Sequence, residues 1–275
     1  MEIALLNYFV LDDDLRSSCD FNPSSLYSGI SIYEVIRVQY ALPLFLELHI
    51  KRFYASAKLE NLEIPFDSDL LKHRLKALIE TNQLSQGNIK FLFHKSKDGI
   101  GHFMAWVMPF FYPSDEQYRE GVKVELMKAK RPRPNAKKAM YQLREKADTF
   151  IHEKACFEVV YYNAAGWVTE GSRSNVFFVK DSQIITPEKS MVLPGVTRER
   201  VMELATELEF TILETKIKLK QLPDFDACFL TGTSPKILPI YQLHSSLYSI
   251  GHPIVTKLMA AYDAHTESYL KKFNW

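Results

Sequence analysis

Before residue 112 the chain switches between two hydrophobic rhythms in a set order, and that order limits the folds open to it. Ile32 to Tyr40 and Pro43 to Leu46 read as strands, with Gln39-Tyr40-Ala41-Leu42 turning between them. The period then lengthens: from about His49 to Asn61, Ile50, Phe53, Tyr54 and Ala57 recur at i, i+3, i+4 and i+7 and make one apolar helical face. A second helix is expected over Asp67 to Asn82, burying Leu70, Leu71, Leu75, Leu78 and Ile79. Ile89 to His94 and Phe103 to Phe110 return to the strand pattern, paired across the turn-rich Lys95-Ser96-Lys97-Asp98-Gly99. These aromatic-rich blocks of strand, helix and strand make a small α/β domain. Tyr112-Pro113-Ser114-Asp115-Glu116 is polar and carries a proline, which places a boundary between domains at 1–112 and 113–275.

The second half opens with a strand, Val122 to Met127, followed by the basic, proline-broken stretch Lys128 to Asn135 and a helix from about Met140 to Lys154. Two β-ribbons are expected, Phe157 to Tyr162 with Trp167 to Glu170, and Asn175 to Val179 with Gln183 to Thr186. Pro194-Gly195 leads into a helix over Arg198 to Leu208, and a last strand, Ala227 to Thr231, ends in Gly232-Thr233-Ser234-Pro235. At 275 residues the chain lies near the upper limit for one hydrophobic core, which favours two domains.

Several function classes are disfavoured at once. The net charge of +1 gives no reason to expect nucleic acid or an acidic membrane surface as partner. Cys19, Cys156 and Cys228 are far apart and form no CxxC pair, which argues against a disulfide framework and a structural metal site, so no metal is expected. Met1-Glu2 lacks the basic start of a signal peptide, and no apolar run approaches the roughly 20 residues that span a bilayer. A cytoplasmic protein without membrane attachment is the expectation.

Five features bear on chemistry, and most have a plainer reading. The basic stretch Lys128, Lys130, Arg131, Arg133, Lys137, Lys138 is either a solvated loop or the approach to a cleft, held by Pro132-Arg133-Pro134, in which a desolvated lysine becomes a nucleophile toward aldehydes. Val168-Thr169-Glu170-Gly171-Ser172 is an exposed turn or a carboxylate set against a pyridine nitrogen. At about 4 Å and an effective dielectric near 20, that attraction is roughly 4 kcal/mol, or about three pKa units. Leu193-Pro194-Gly195-Val196-Thr197 supplies Thr197 as an N-cap, or a helix start whose N–H groups face a phosphate. Gly232, in Thr231-Gly232-Thr233-Ser234, permits close backbone approach to a ligand. Arg52, with His49 and Ser56, lies on the polar side of the first helix, as a solvated face or as a clamp on phosphate oxygens.

Taken in order, Leu44-Phe45-Leu46-Glu47-Leu48-His49-Ile50-Lys51-Arg52-Phe53, Gly166-Trp167-Val168-Thr169-Glu170-Gly171-Ser172-Arg173-Ser174-Asn175-Val176-Phe177, Leu193-Pro194-Gly195-Val196-Thr197-Arg198 and Phe229-Leu230-Thr231-Gly232-Thr233 resemble the class IV aminotransferases. These are the fold-type IV pyridoxal-phosphate enzymes, which include branched-chain aminotransferases, D-amino-acid aminotransferases and aminodeoxychorismate lyases. The resemblance implies an α+β fold with a small α/β domain, a larger domain containing a β-pseudobarrel, and the cofactor between them, commonly in a homodimer. It also implies that Arg52 binds the cofactor phosphate together with Val196, Thr197 and Thr233, with Gly232 beside them. Glu170 would pair with the pyridine nitrogen, and Tyr33 would line the substrate side with Arg37 on substrate carboxylates. The front loop Tyr27-Ser28-Gly29-Ile30-Ser31 differs from the family's usual glycine-aspartate-glycine form. Lys95 stands where D-amino-acid enzymes have an arginine.

The family's lysine is usually followed at its third position by asparagine and lies about 21 residues before an acidic strand start. Counting back from Glu158 gives Lys137, with Met140 in the asparagine position; Lys138 is the alternative and needs a one-residue gap. The implied activity is a transamination: Lys137 holds pyridoxal 5'-phosphate as a Schiff base and moves a proton, and the partners are a small or branched amino acid and a keto acid such as 2-oxoglutarate. Tyr33, Phe91, Phe93, Phe103 and Trp106 suggest an apolar wall, and Arg37 and Lys95 are cations available to a second carboxylate. The alternative within the family is an aminodeoxychorismate lyase, forming 4-aminobenzoate and pyruvate with the same lysine and cofactor.

Overall fold

Alternation along a single strand organises the first part of the molecule. In β3 (Ile30–Gln39), Ile32, Ile36 and Val38 point to one face and are buried, as a period of two requires. β3 belongs to a six-stranded antiparallel sheet with β1 (Tyr8–Leu11), β2 (Asp14–Ser17), β4 (Leu42–Pro43), β5 (Gln86–Lys95) and β6 (Gly101–Met108), in the order β2-β1-β6-β5-β3-β4. The buried face packs on α1 (Leu46–Leu59) and α2 (Ser68–Thr81). Described in this computed structural model are residues 2–129 and 131–275. They form two compact units, Met1–Phe111 with Ala136–Ala139 and Glu267–Trp275, and Tyr112–Asn135 with Met140–Thr266. The short segment that carries Lys137 and Lys138 therefore clusters with the first unit.

Three local expectations in the first unit change. Only Leu42 and Pro43 pair as a strand; Phe45, with φ of 53°, turns the chain and α1 starts at Leu46. The Tyr269 hydroxyl accepts from Leu46 N (3.0 Å), so the helix start is completed by a residue more than 200 positions away, which no local period reveals. In α2 Leu70 is 38% exposed, and Arg74 is buried instead, its guanidinium 4.4 Å and 4.8 Å from the ring centres of Phe66 and Phe103. Phe91, Phe93 and Phe103 do not form a substrate wall. Their strand parity turns them onto the helices, where they join Ile32, Phe53 and Leu75 in the core.

The second unit is a mixed nine-stranded sheet that curls as a half-barrel. Its strands are β7 (Val122–Lys128), β8 (Glu158–Tyr162), β9 (Val168–Gly171), β10 (Asn175–Lys180), β11 (Gln183–Pro187), β12 (Thr211–Thr215), β13 (Ala227–Gly232), β14 (Lys236–Leu243) and β15 (Ser246–Leu247). The order is β12-β11-β10-β13-β14-β7-β8-β9, with β15 on β14. Val124, Val160, Val176, Phe178, Leu230 and Leu238 fill its interior. The expected ribbons are β8 with β9 and β10 with β11. The polar stretch after residue 112 is not all loop, since Ser114 and Gln117 form a capping box on α3 (Asp115–Glu120). α4 (Tyr141–Lys154) matches its expected span, α5 (Val196–Glu207) begins two residues early, and α6 (Pro253–Lys272) was not anticipated. Among the described residues no helix is long and apolar enough to cross a membrane.

Since Phe91 is fully buried in the first-unit core, Phe91→Ala should destabilise the protein by about 3–5 kcal/mol. Urea unfolding of both proteins measures this; a loss under about 1 kcal/mol would return Phe91 to a ligand-facing role.

Candidate active site

α1 buries two stripes, one apolar and one polar. Ile50, Phe53 and Ala57 enter the core, while His49, Arg52 and Ser56, together with Glu60 at the C-cap, recur three or four residues apart and are also buried. The reading of this stripe as a solvated face is therefore wrong. Its counterpart is Glu34, which occupies the same row of β3 as Ile32, Ile36 and Val38 and is fully buried. Arg52 donates from Nε to Glu34 Oε1 (2.7 Å) and from Nη2 to Oε2 (2.6 Å), and His49 Nδ1 lies 2.8 Å from Oε2.

Burial alone would raise the Glu34 carboxyl, but the Arg52 charge and the hydrogen bonds from Arg52 and His49 hold it at about 2. His49 is pushed down by burial against the pull of Glu34, with Arg52 and Lys137 adding to the depression. At neutral pH the imidazole is uncharged. Because an ionised Glu34 only accepts, the hydrogen sits on His49 Nδ1.

The segment around Lys137 is tied to β3 by one isolated bridge, and Lys138 N donates to Ala136 O (2.9 Å), a tight turn centred on Lys137. Ile32 pairs with Lys138, Tyr33 N donates to Lys137 O (3.0 Å), and Ala139 N donates to Ser31 O (2.8 Å). The polar stripe of α1 holds its other side: Ser56 Oγ accepts from Lys137 N (3.1 Å), and Glu60 Oε2 accepts from Lys138 Nζ (3.0 Å). Lys138, with 37% of its side chain exposed, goes to Glu60, whereas Lys137 Nζ lies 4.9 Å from the centre of the Tyr33 ring.

The sheet register sorts the other substrate-side candidates. Tyr33 and Arg37 share one face of β3, and pairing of Val35 with Lys90 brings Lys90 to that face, 4.7 Å from the Tyr33 ring centre and ion-paired with Glu2. Lys95 is not brought to them. It pairs with Ile30, in the row of Ile32 and Glu34, at the exposed end of β5. Trp106 lies on the Tyr33 side, 5.5 Å from Lys90 Nζ.

In the second unit Glu170 is buried near the end of β9. Its Oε1 accepts from Arg131 Nη1 (2.7 Å) and its Oε2 from Leu193 N (2.8 Å). Leu193 O in turn accepts from Asn175 Nδ2 (3.0 Å), so the backbone entering α5 is tied at both polar atoms. Gly195, not Thr197, is the N-cap of α5, and no side chain caps it. A Cβ on Gly195 would stand 2.2 Å from Asn175 Oδ1, which explains the glycine. Val196 and Thr197 are buried in the first turn, where backbone N–H groups lack helical partners. Gly232 ends β13, where a Cβ would meet Pro235 and Arg173 O at 3.1–3.3 Å, and Thr233 follows in the turn to β14.

Glu34, Arg131 and Glu158 were not identified from the sequence as site residues. Glu34 carried a signal, a carboxylate in an apolar row. Arg131 did not stand out from its basic neighbours, of which Lys130 lies outside the described residues. Glu158 accepts from Ser172 Oγ (2.6 Å), Ser174 Oγ (3.2 Å), Val159 N (2.8 Å) and Arg173 N (3.1 Å), and so shapes the turn after Glu170. Burial raises its carboxyl despite Arg144 and these donors.

The sequence matches the amino-transferase class IV family over residues 31–243. The chain belongs to the class IV aminotransferases. This class IV aminotransferase is 27% identical over 265 residues to the branched-chain-amino-acid aminotransferase of Pseudomonas aeruginosa, covering 86% of this chain and 84% of that one. It is 27% identical over 254 residues to the D-alanine aminotransferase of Bacillus licheniformis, covering 86% and 88%. Among solved structures, a T.th. branched-chain amino acid aminotransferase with pyridoxamine 5'-phosphate superposes with a TM-score of 0.85 at 25% identity, covering 96% of this chain and 95% of that one. The fold-type IV architecture implied by the sequence is thus shown.

Folding lowers the Glu34 carboxyl from its ordinary 4.5 to about 2, so its contribution is complete above pH 4.5 and is lost as pH falls toward 2. The loss should be on the order of 3 kcal/mol. Urea unfolding across that range should show it in the wild type, and Glu34→Gln should lack this component of the slope; equal slopes would remove Glu34 as its source.

Proposed function

We propose that this aminotransferase moves the amino group of a small or branched amino acid to a keto acid such as 2-oxoglutarate, with pyridoxal 5'-phosphate attached at Lys137. The family is pyridoxal-phosphate dependent, and the relatives named for branched-chain amino acids and for D-alanine support the substrate class. The observation that carries the choice of lysine is the division of partners: Lys138 is engaged by Glu60, and Lys137 stands over Tyr33.

The donor sets fit the group. A phosphate needs N–H donors, which Arg52 in the first unit would supply and, in the second, the uncapped start of α5 at Val196 and Thr197 with the Gly232-Thr233 turn. A pyridine nitrogen needs a fixed carboxylate, and Arg131 and Leu193 N fix Glu170. When bound, the cofactor supplies a protonated ring that accepts the electrons of the substrate Cα–H bond.

The protein's own residues do the rest. Glu170 would hold the proton on the ring nitrogen. With the cofactor bound, Lys137 Nζ would take up and return the substrate Cα proton, held near Tyr33 by the bonds of its backbone to β3 and Ser56. Tyr33 borders the substrate, and Arg37 on the same face would meet a carboxylate.

Glu170→Gln should keep the cofactor and lose turnover by on the order of 100-fold or more, because an amide can still accept from Leu193 N but holds no proton on the ring. A folded, cofactor-bound variant with wild-type rates would remove Glu170 from the mechanism. The reaction type is tested by measuring, on one preparation, keto-acid formation from a panel of L- and D-amino acids and aminobenzoate release from aminodeoxychorismate. Transfer should exceed release. Rapid release without transfer to any keto acid would make the protein a lyase and end the transaminase reading.

A further inference from the structure

Glu34 stands where strand alternation calls for an apolar side chain, between Ile32 and Ile36 in a fully buried row. A carboxylate persists there only if its charge and lone pairs are answered. Two side chains of α1, three residues apart, answer them: Arg52 side-on through Nε and Nη2, and His49 through Nδ1. The side-on fork fixes the plane of the guanidinium as well as its position, which a single bond would leave free to rotate. The third bond, from the preceding turn of the same helix, fixes how α1 is rotated over β3.

We infer that Glu34 is a positioning residue: it sets the orientation in which Arg52 presents its guanidinium to a phosphate group. The inference rests on the proposed role of Arg52 as a phosphate ligand. Charge and orientation make opposite demands at this point. Glu34 and Arg52 are together neutral, so Arg52 offers a phosphate dianion directed donors rather than net charge. Removing the carboxylate leaves a net positive charge, which would strengthen phosphate binding if charge governed it. Removing it also frees the guanidinium plane, which weakens binding if orientation governs it.

The test compares wild type, Glu34→Gln and Glu34→Asp, each full length and freed of cofactor, by absorbance titration with pyridoxal phosphate and with pyridoxal, which lacks the phosphate. Glutamine keeps the shape and loses the charge; aspartate keeps the charge but falls one methylene short of Arg52 and His49. Both variants should bind pyridoxal phosphate at least about tenfold more weakly than wild type, with pyridoxal binding little changed. In an Arg52→Lys background, Glu34→Gln should add little further loss, because lysine has no fork to orient. Glu34→Gln binding pyridoxal phosphate as tightly as wild type, or more tightly, would overturn the inference. Equal losses for both ligands would overturn it too, by making Glu34 merely structural. Should Glu34→Gln fail to fold, Glu34→Asp carries the same comparison. A wild type that binds neither ligand would overturn the functional reading itself, a result distinct from any difference among variants.

Discussion

The Glu34 carboxylate, gripped side-on by Arg52 and touched by His49, occupies a row of β3 otherwise filled by Ile32, Ile36 and Val38. Taking a carboxylate and a guanidinium out of water costs several kcal/mol per ion, and only close, well-directed bonds offset it. α1 can supply those bonds in one rotation about its axis. That rotation sends Ile50, Phe53 and Ala57 into the core and leaves Ser56 and Glu60 to hold the two lysines. The core of the first unit and the placing of Lys137 and Lys138 follow from the same contact.

The second unit solves a related problem with backbone. Glu170 fixes Leu193 N, Asn175 fixes Leu193 O, and Asn175 Oδ1 also fills the space that a side chain at Gly195 would need. The carboxylate proposed for the ring nitrogen and the helix start proposed for the phosphate are thereby one hydrogen-bonded assembly. Glu158 steadies the intervening turn through two hydroxyls and two backbone N–H groups.

Much of this architecture is visible in local sequence. The helical face of Ile50, Phe53 and Ala57 and the strand pair on either side of Gly99 rest on short-range periods, and the motifs around Arg52, Glu170 and Val196 are legible through their family resemblance. What could not be read locally depends on distant partners. α1 begins at Leu46 because Tyr269 meets its first N–H, and Arg131 is singled out from a basic run only by Glu170. Phe91 and Phe93 have the composition of a pocket wall, but parity against β3 decides which face they take. Parity also separates Lys95 from Tyr33 and brings Lys90 there instead.

Spacing allows either of the two adjacent lysines to carry the cofactor, and the structure gives them different surroundings. Glu60 answers the charge of Lys138, while Lys137 Nζ lies over the Tyr33 ring and its carbonyl accepts from Tyr33 N. Borohydride reduction of the protein loaded with pyridoxal phosphate, followed by peptide mapping, tests this directly. A pyridoxyl group on Lys137 alone is the expected result. A label on Lys138 would contradict the assignment of partners, and no label on either lysine would contradict the cofactor chemistry altogether.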